Sequence, residues 1–233
     1  MVHDDVKVVF YLIIFVFLIY LFMLQYSKYN SCGNDFIIID DRQGEFLIQS
    51  GDSYSSICTQ LYIQSLCNRD KGIGADGLIL LQLSQQSNSL YRMVYFNSDG
   101  LVSSFCGNGS MCCAHFASSL NSAGQKSIYS GNFDTNEGLF SFEVDFKDNK
   151  VKVSLVEVQN IEIDNSGIFM NTGSPHYVVF KEHVNNINVN KEGAKIRYSK
   201  RFEKEGTNVT FVSCINQNIS IRTYERGVES ETL

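Results

Sequence analysis

The sequence predicts an α+β fold, and three observations carry that reading. Apolar runs of roughly four to eight residues alternate with turn residues along most of the 233-residue chain. Several of these runs alternate apolar and polar side chains with period two, the mark of half-buried strands. Only two stretches in the first half carry helical spacing.

In chain order, FIIID (36–40) reads as a buried strand. Residues 53–68 place apolar side chains at 57, 61, 63 and 66, predicting an amphipathic helix capped by Asp52 or Ser53. GLILLQL (77–83) and YRMVYFN (91–97) read as strands, with NSDG (97–100) as a turn. A helix is expected from about Gly107, carrying Met111, Cys112, Phe116 and Leu120. SIYSGNFDTNEG (127–138) is polar and turn-rich, and it predicts a domain boundary. Residues 139–146, 150–158, 168–173, 176–180, 207–215 and 219–225 read as strands. A weak repeat links RMVYFNSDG (92–100) with RTYERG (222–227): each is a strand ending in polar residues and a glycine.

Hydrophobic residues make up 44% of the chain, which fits a globular protein. Nineteen Lys and Arg stand against 25 Asp and Glu, a net charge of −6. No basic stripe appears, which counts against nucleic acid as the main partner. The seven cysteines are odd in number and form no C-x-x-C pair, so a zinc site is not expected and the thiols are read as reduced, in a cytosolic setting.

Residues 8–24 (VVFYLIIFVFLIYLFML) are 17 residues without a charge, just long enough for a membrane span. The leader MVHDDVK and the lack of a small-residue cleavage site argue against a signal peptide. The favoured expectation is that the chain proper starts at Met23 and that 1–22 is an apolar extension upstream of the true start. A membrane anchor through 8–24 is the alternative. The expected division is therefore 1–22, a first half 23–135 and a second half 136–233.

The chemistry concentrates at strand ends. Cys106 lies between a turn and the loop GNG; with a helix starting at Gly107, its sulfur would sit where the first N–H groups lack partners. Those groups and the helix dipole favour thiolate and predict a lowered thiol pKa. Gly107 and Gly109 let a ligand approach, and the same N–H groups suit a carboxylate. A free, half-buried cysteine is the plain alternative. The other cysteines read as core fillers. Asn34 in CGNDF, Ser174 and His176 in TGSPH, Asn208 in EGTNV, and Glu225 and Arg226 in YERG are ligand candidates, each with a solvated or turn role as the bland reading. Arg226 is suited to grip a carboxylate in two bonds. DKGIGADG (70–77) has the spacing of neither a P-loop nor a dinucleotide fingerprint.

Taken together, KYNSCGNDF, DKGIGADG, FNSDG…CGNG, NTGSPHYVVF, EGTNV and RTYERGVESETL resemble the diaminopimelate epimerase family, from about Met23 to Leu233. The resemblance implies two similar α/β halves, each with strands wrapped round a central helix, and substrate in the cleft between them. It implies conversion of LL-2,6-diaminopimelate to the meso form, for lysine and peptidoglycan, with no pyridoxal phosphate, no metal and no other cofactor. Two cysteines, one per half, would move the α-proton from one face to the other. Cys106 matches one of them. Gly107 and Asn108 match the carboxylate-binding helix start, and Asn34, Asn97, Ser174, His176, Asn208, Glu225 and Arg226 match substrate contacts.

Two positions depart from the pattern: Ser174 stands where asparagine is common, and Met111 where arginine is common. The family continues after its E-T-L with a second Cys-Gly loop and helix. The expectation for these 233 residues is thus an incomplete second half without the second thiol, and inefficient epimerisation. A proline racemase-like enzyme and a membrane-tethered, non-catalytic homologue are the competing readings. The expected location is cytoplasmic, with anchoring through residues 8–24 as the alternative, and a homodimer is compatible with either.

Overall fold

The computed structural model describes residues 24–46, 57–121 and 127–232. The apolar segment expected to be an extension or an anchor lies almost wholly outside the described residues, as do the Asp52 and Ser53 cap positions. Among the described residues no helix is long and apolar enough to cross a membrane.

Seven strands form the first sheet in chain order: β1 (Ser27–Ser31), β2 (Asn34–Asp40), β3 (Gly77–Gln82), β4 (Tyr91–Asn97), β5 (Ile128–Thr135), β6 (Gly138–Asp145) and β7 (Lys150–Val153). β2 pairs with β3 and β4 with β5 in parallel, and every other neighbour is antiparallel. The two parallel pairs need crossovers. Helix α1 (Ile57–Cys67) lies in the first crossover and α2 (Gly107–Asn121) in the second.

The sheet curls round α2, which touches β1 and β7 at its two edges as well as β2, β3, β4 and β6. Period-two alternation explains how: Phe36 and Ile38, Ile79 and Leu81, and Phe140, Phe142 and Val144 turn one face of each strand toward Cys112, Cys113, Phe116 and Ala117. Each such buried side chain contributes about 1.5–3 kcal/mol. Gly109 makes the approach possible, since a Cβ there would lie 3.2 Å from Ile79 Cδ1 and 3.4 Å from both Met93 Cε and Phe36 Cε1. The opposite sheet face carries Ile37, Leu78, Leu80, Val94 and Phe96, which pack on Ile63 and Leu66 of α1.

The second sheet runs β13-β12-β11-β10-β9-β8, from β8 (Ile161–Ile163), β9 (Ile168–Asn171), β10 (Pro175–Phe180), β11 (Asn208–Ile215), β12 (Asn218–Glu225) and β13 (Ser230–Thr232). Only β10 and β11 are parallel, and a 3-10 turn (Val184–Asn186) and helix α3 (Val189–Arg197) lie in their crossover. Asn188 caps α3 by accepting from the Lys191 N–H at 3.0 Å. Tyr177, Val179, Val209, Phe211 and Tyr224 form the face that packs with Val184, Val189 and Phe202. Ile163, Phe180, Ile219 and Ile221 are exposed. Strand register places Phe180, Ile221 and Ile163 on the face away from Tyr177 and Phe211. The two-halved α+β fold is as expected, with a helix enclosed by strands in the first half alone among the described residues.

Several expectations need correction. Residues 127–138 form β5 and the turn into β6, not a boundary loop. Polar side chains alternate there with Tyr129 and Phe133, which face the core. The division expected at 135/136 therefore falls inside the β5–β6 hairpin, and the sheets divide between Val153 and Ile161. The strand expected to run to 158 ends at Val153. Cys112, Cys113 and Cys67 fill the core as expected, but Cys32 and Cys214 are exposed. Cys32 occupies a turn with φ of +53°, and Cys214 nears the end of β11, where the strand leaves the sheet's covered area.

Candidate active site

The Cys106 backbone carbonyl accepts the first helical bond of α2, from the Ser110 N–H at 2.8 Å. Its sulfur accepts from the Gly109 N–H at 3.4 Å, so the thiol itself is the cap of the helix. Phe105 anchors the preceding loop by stacking on Phe140 with centroids 4.3 Å apart.

Cys106 lines a cleft of about 540 Å³ between the halves. From the first half come Asn97, Ser104, Cys106, Gly107 and Asn108; from the second come Ser174, His176, Asn208, Glu225 and Arg226. The repeat seen in the sequence has a spatial meaning. The end of β4 carries Asn97, the turn after β12 carries Gly227, and the two meet. A Cβ on Gly227, whose φ is +91°, would lie 2.6 Å from Asn97 Nδ2.

Asn34 stands behind the wall rather than on it. It is fully buried, and its Nδ2 donates to both Glu225 carboxylate oxygens at 3.3 Å, while its Oδ1 has no partner. Asn208 is the hub of the opposite wall. Its Oδ1 accepts from the Arg226 N–H at 2.8 Å, and its Nδ2 lies 3.1 Å from Ser174 Oγ and 3.3 Å from His176 Nε2. Arg226 donates through Nη1 to the Glu205 carbonyl at 2.7 Å and through Nη2 to Ser104 Oγ at 2.6 Å. Sequence reasoning missed Ser104. Serine in a polar loop gives no signal, and only the tertiary contact singles it out.

The electrostatics correct one expectation. The Cys106 thiol is not lowered but pushed up to about 12, by burial first and then by the negative Glu225. The Gly109 and Asn108 N–H groups act in the predicted direction and are outweighed. Burial, then Asp76, also raises Glu225, while Thr232 and Asn34 donate to it and oppose the rise. Burial and the nearby Arg226 lower His176, favouring neutral imidazole. Of the other charges on the wall, Arg222 is paired with Glu231 at 2.6 and 2.7 Å. Glu225 and Arg226 remain as adjacent unlike charges facing the cleft, a pattern complementary to an ammonium and a carboxylate.

The family model of diaminopimelate epimerase matches residues 26–161. The chain is 44% identical over 211 residues to the diaminopimelate epimerase of Flavobacterium psychrophilum, covering 90% of this chain and 76% of that protein. The chain belongs to the diaminopimelate epimerase family. The enzyme of the same name from Aquifex aeolicus is 38% identical over 219 residues, again covering 90% of this chain and 76% of the relative. Among solved structures, a probable proline racemase from Agrobacterium radiobacter superposes with a TM-score of 0.61 at 11% identity, over 87% of this chain and 70% of that one. A hydroxyproline epimerase from Agrobacterium vitis gives 0.59 at 13%, over 86% and 69%. These neighbours share the two-halved fold. The family assignment accounts for the clustering of strand-end residues around one helix start.

Proposed function

We propose that the cleft binds 2,6-diaminopimelate and that Cys106 moves its α-proton, as in the isomerases of this family. One observation carries the reading: the Cys106 sulfur caps α2 on one wall of a cleft whose other wall presents Glu225 and Arg226. The substrate carboxylate at the reacting carbon meets the first-turn N–H groups of α2, at Gly107 and Asn108. Those donors stand where charge develops as the proton leaves, and they need no reorganisation. Asn97, Ser174, His176 and Asn208 bound the remaining polar surface, and Arg226 takes a second carboxylate.

Ionisation of the thiol is coupled to binding. Glu225 opposes it. An ammonium placed beside Glu225 neutralises that carboxylate, and the thiolate then forms at lower cost. Cys106 is the one thiol lining the cleft among the described residues. It moves the α-proton on the face of the substrate carbon that it meets.

The test supplies LL-diaminopimelate to the 233-residue polypeptide in deuterated water. The expected result is deuterium at the α-carbon, abolished by Cys106→Ser. No exchange, or exchange that survives the substitution, sinks the assignment of Cys106.

A further inference from the structure

We infer that Ser104 is a positioning residue that holds Arg226 in its ligand-receiving orientation from the opposite half of the molecule; this rests on the reading of the cleft given above. Arg226 belongs to the turn after β12, yet its Nη2 donates to Ser104 Oγ, two residues before Cys106, at 2.6 Å. The contact joins residues 122 apart in sequence. On its own half, the Arg226 stem is fixed by the Glu205 carbonyl on Nη1 and by Gly206 beneath it. A Cβ at Gly206 would lie 2.7 Å from Arg226 Cδ. Those contacts fix the stem and one nitrogen, and they leave the fork free to swing about its last bonds. The Ser104 hydroxyl fixes the second nitrogen.

The same hydroxyl lies 3.5 Å from Ser174 Oγ, which takes the Asn208 Nδ2 at 3.1 Å. Arg226, Ser104, Ser174 and Asn208 thus form one polar chain along the cleft, and Asn208 closes it by accepting from the Arg226 backbone N–H. A guanidinium held at both ends keeps its remaining N–H groups aimed into the cleft and loses little freedom when a carboxylate arrives. Because Ser104 and Cys106 share one short loop, the clasp also fixes the spacing between the cation and the sulfur.

The test compares Ser104→Thr with Ser104→Val, two branched side chains of the same shape of which only threonine keeps the hydroxyl. Diaminopimelate binding is read by calorimetry, α-proton exchange at saturation by mass spectrometry, and folding by thermal unfolding. The valine variant is expected to bind about tenfold more weakly than the threonine variant, the size of one charge-assisted hydrogen bond. Its exchange rate at saturation stays within about twofold and its unfolding temperature matches, since the loss falls on binding rather than on the proton transfer. Equal affinity of the two variants overturns the inference, as does a loss confined to the saturated exchange rate or explained by a lowered unfolding temperature. A wild-type chain that binds no diaminopimelate instead overturns the functional reading beneath it.

Discussion

Substituting Glu225 by glutamine tests the electrostatics of the cleft through the reactivity of Cys106. A peptide thiol near pKa 8.5 is about one-tenth thiolate at pH 7.5. Cys106, pushed up to about 12, is thiolate in roughly three parts per hundred thousand. That lowers the reactive fraction about three-thousandfold. A more basic thiolate is also a better nucleophile, and with a Brønsted coefficient of about 0.45 the difference recovers about fortyfold. The net expectation is a Cys106 that reacts with a small neutral disulfide about a hundredfold more slowly than a free peptide thiol, or more slowly still because the residue is only 9% exposed. Glu225→Gln keeps the shape and removes the charge. Each unit by which the thiol pKa falls should leave a net gain of about threefold. Labelling is followed by mass spectrometry of the Cys106 peptide, with the exposed Cys32 and Cys214 showing that the reagent has access to the protein. A wild-type Cys106 as fast as the peptide thiol would refute the burial argument. A glutamine variant no faster than wild type would refute the role of Glu225.

Two further outcomes concern stability. Burial alone would raise the Asp35 carboxyl, but hydrogen bonds from Arg69 and Lys28, each 2.7 Å away, hold it well below the usual carboxylate range. A depressed pKa stabilises the fold fully above the unfolded value of about 3.9, and that contribution is lost progressively as pH falls from there through the lower folded value. Asp35→Asn should therefore cost about 1–3 kcal/mol in denaturant unfolding at pH 7 and progressively less below about pH 4; a gap that does not change with pH would contradict this. Gly227→Ala forces a left-handed backbone, costing about 1–2 kcal/mol, and drives a methyl into the Asn97 amide. It should lower stability by about 2–4 kcal/mol and weaken diaminopimelate binding, whereas unchanged calorimetric affinity would separate Asn97 from the ligand.

Local signals in the chain were read well where one short segment carries the whole cause. The alternation in LFSFEVD shows in β6, where Phe140, Phe142 and Val144 are buried and Ser141 and Glu143 are not, because period two belongs to a single strand. The start of α2 was legible because cap chemistry is confined to a few residues around Cys106. The reading failed where the cause is distant. SIYSGNFDT looks like a loop by composition, and it becomes β5 through pairing along its full length with β6. VNKEGAKIR carries few apolar residues, and it becomes α3 through the Asn188 cap and its packing on β11 and β12.

By itself the sequence determined the α+β class through local pattern, and through its motifs the family, with the two halves and the cleft residues that the resemblance implies. The tertiary structure alone decided that the ends of β4 and β12 face each other, that Ser104 joins Arg226, and that the Cys106 thiol is raised rather than lowered. The physical reason is range. Hydrogen-bonding periods and caps act over a few residues, whereas desolvation and Coulomb interaction depend on which distant groups the fold brings together.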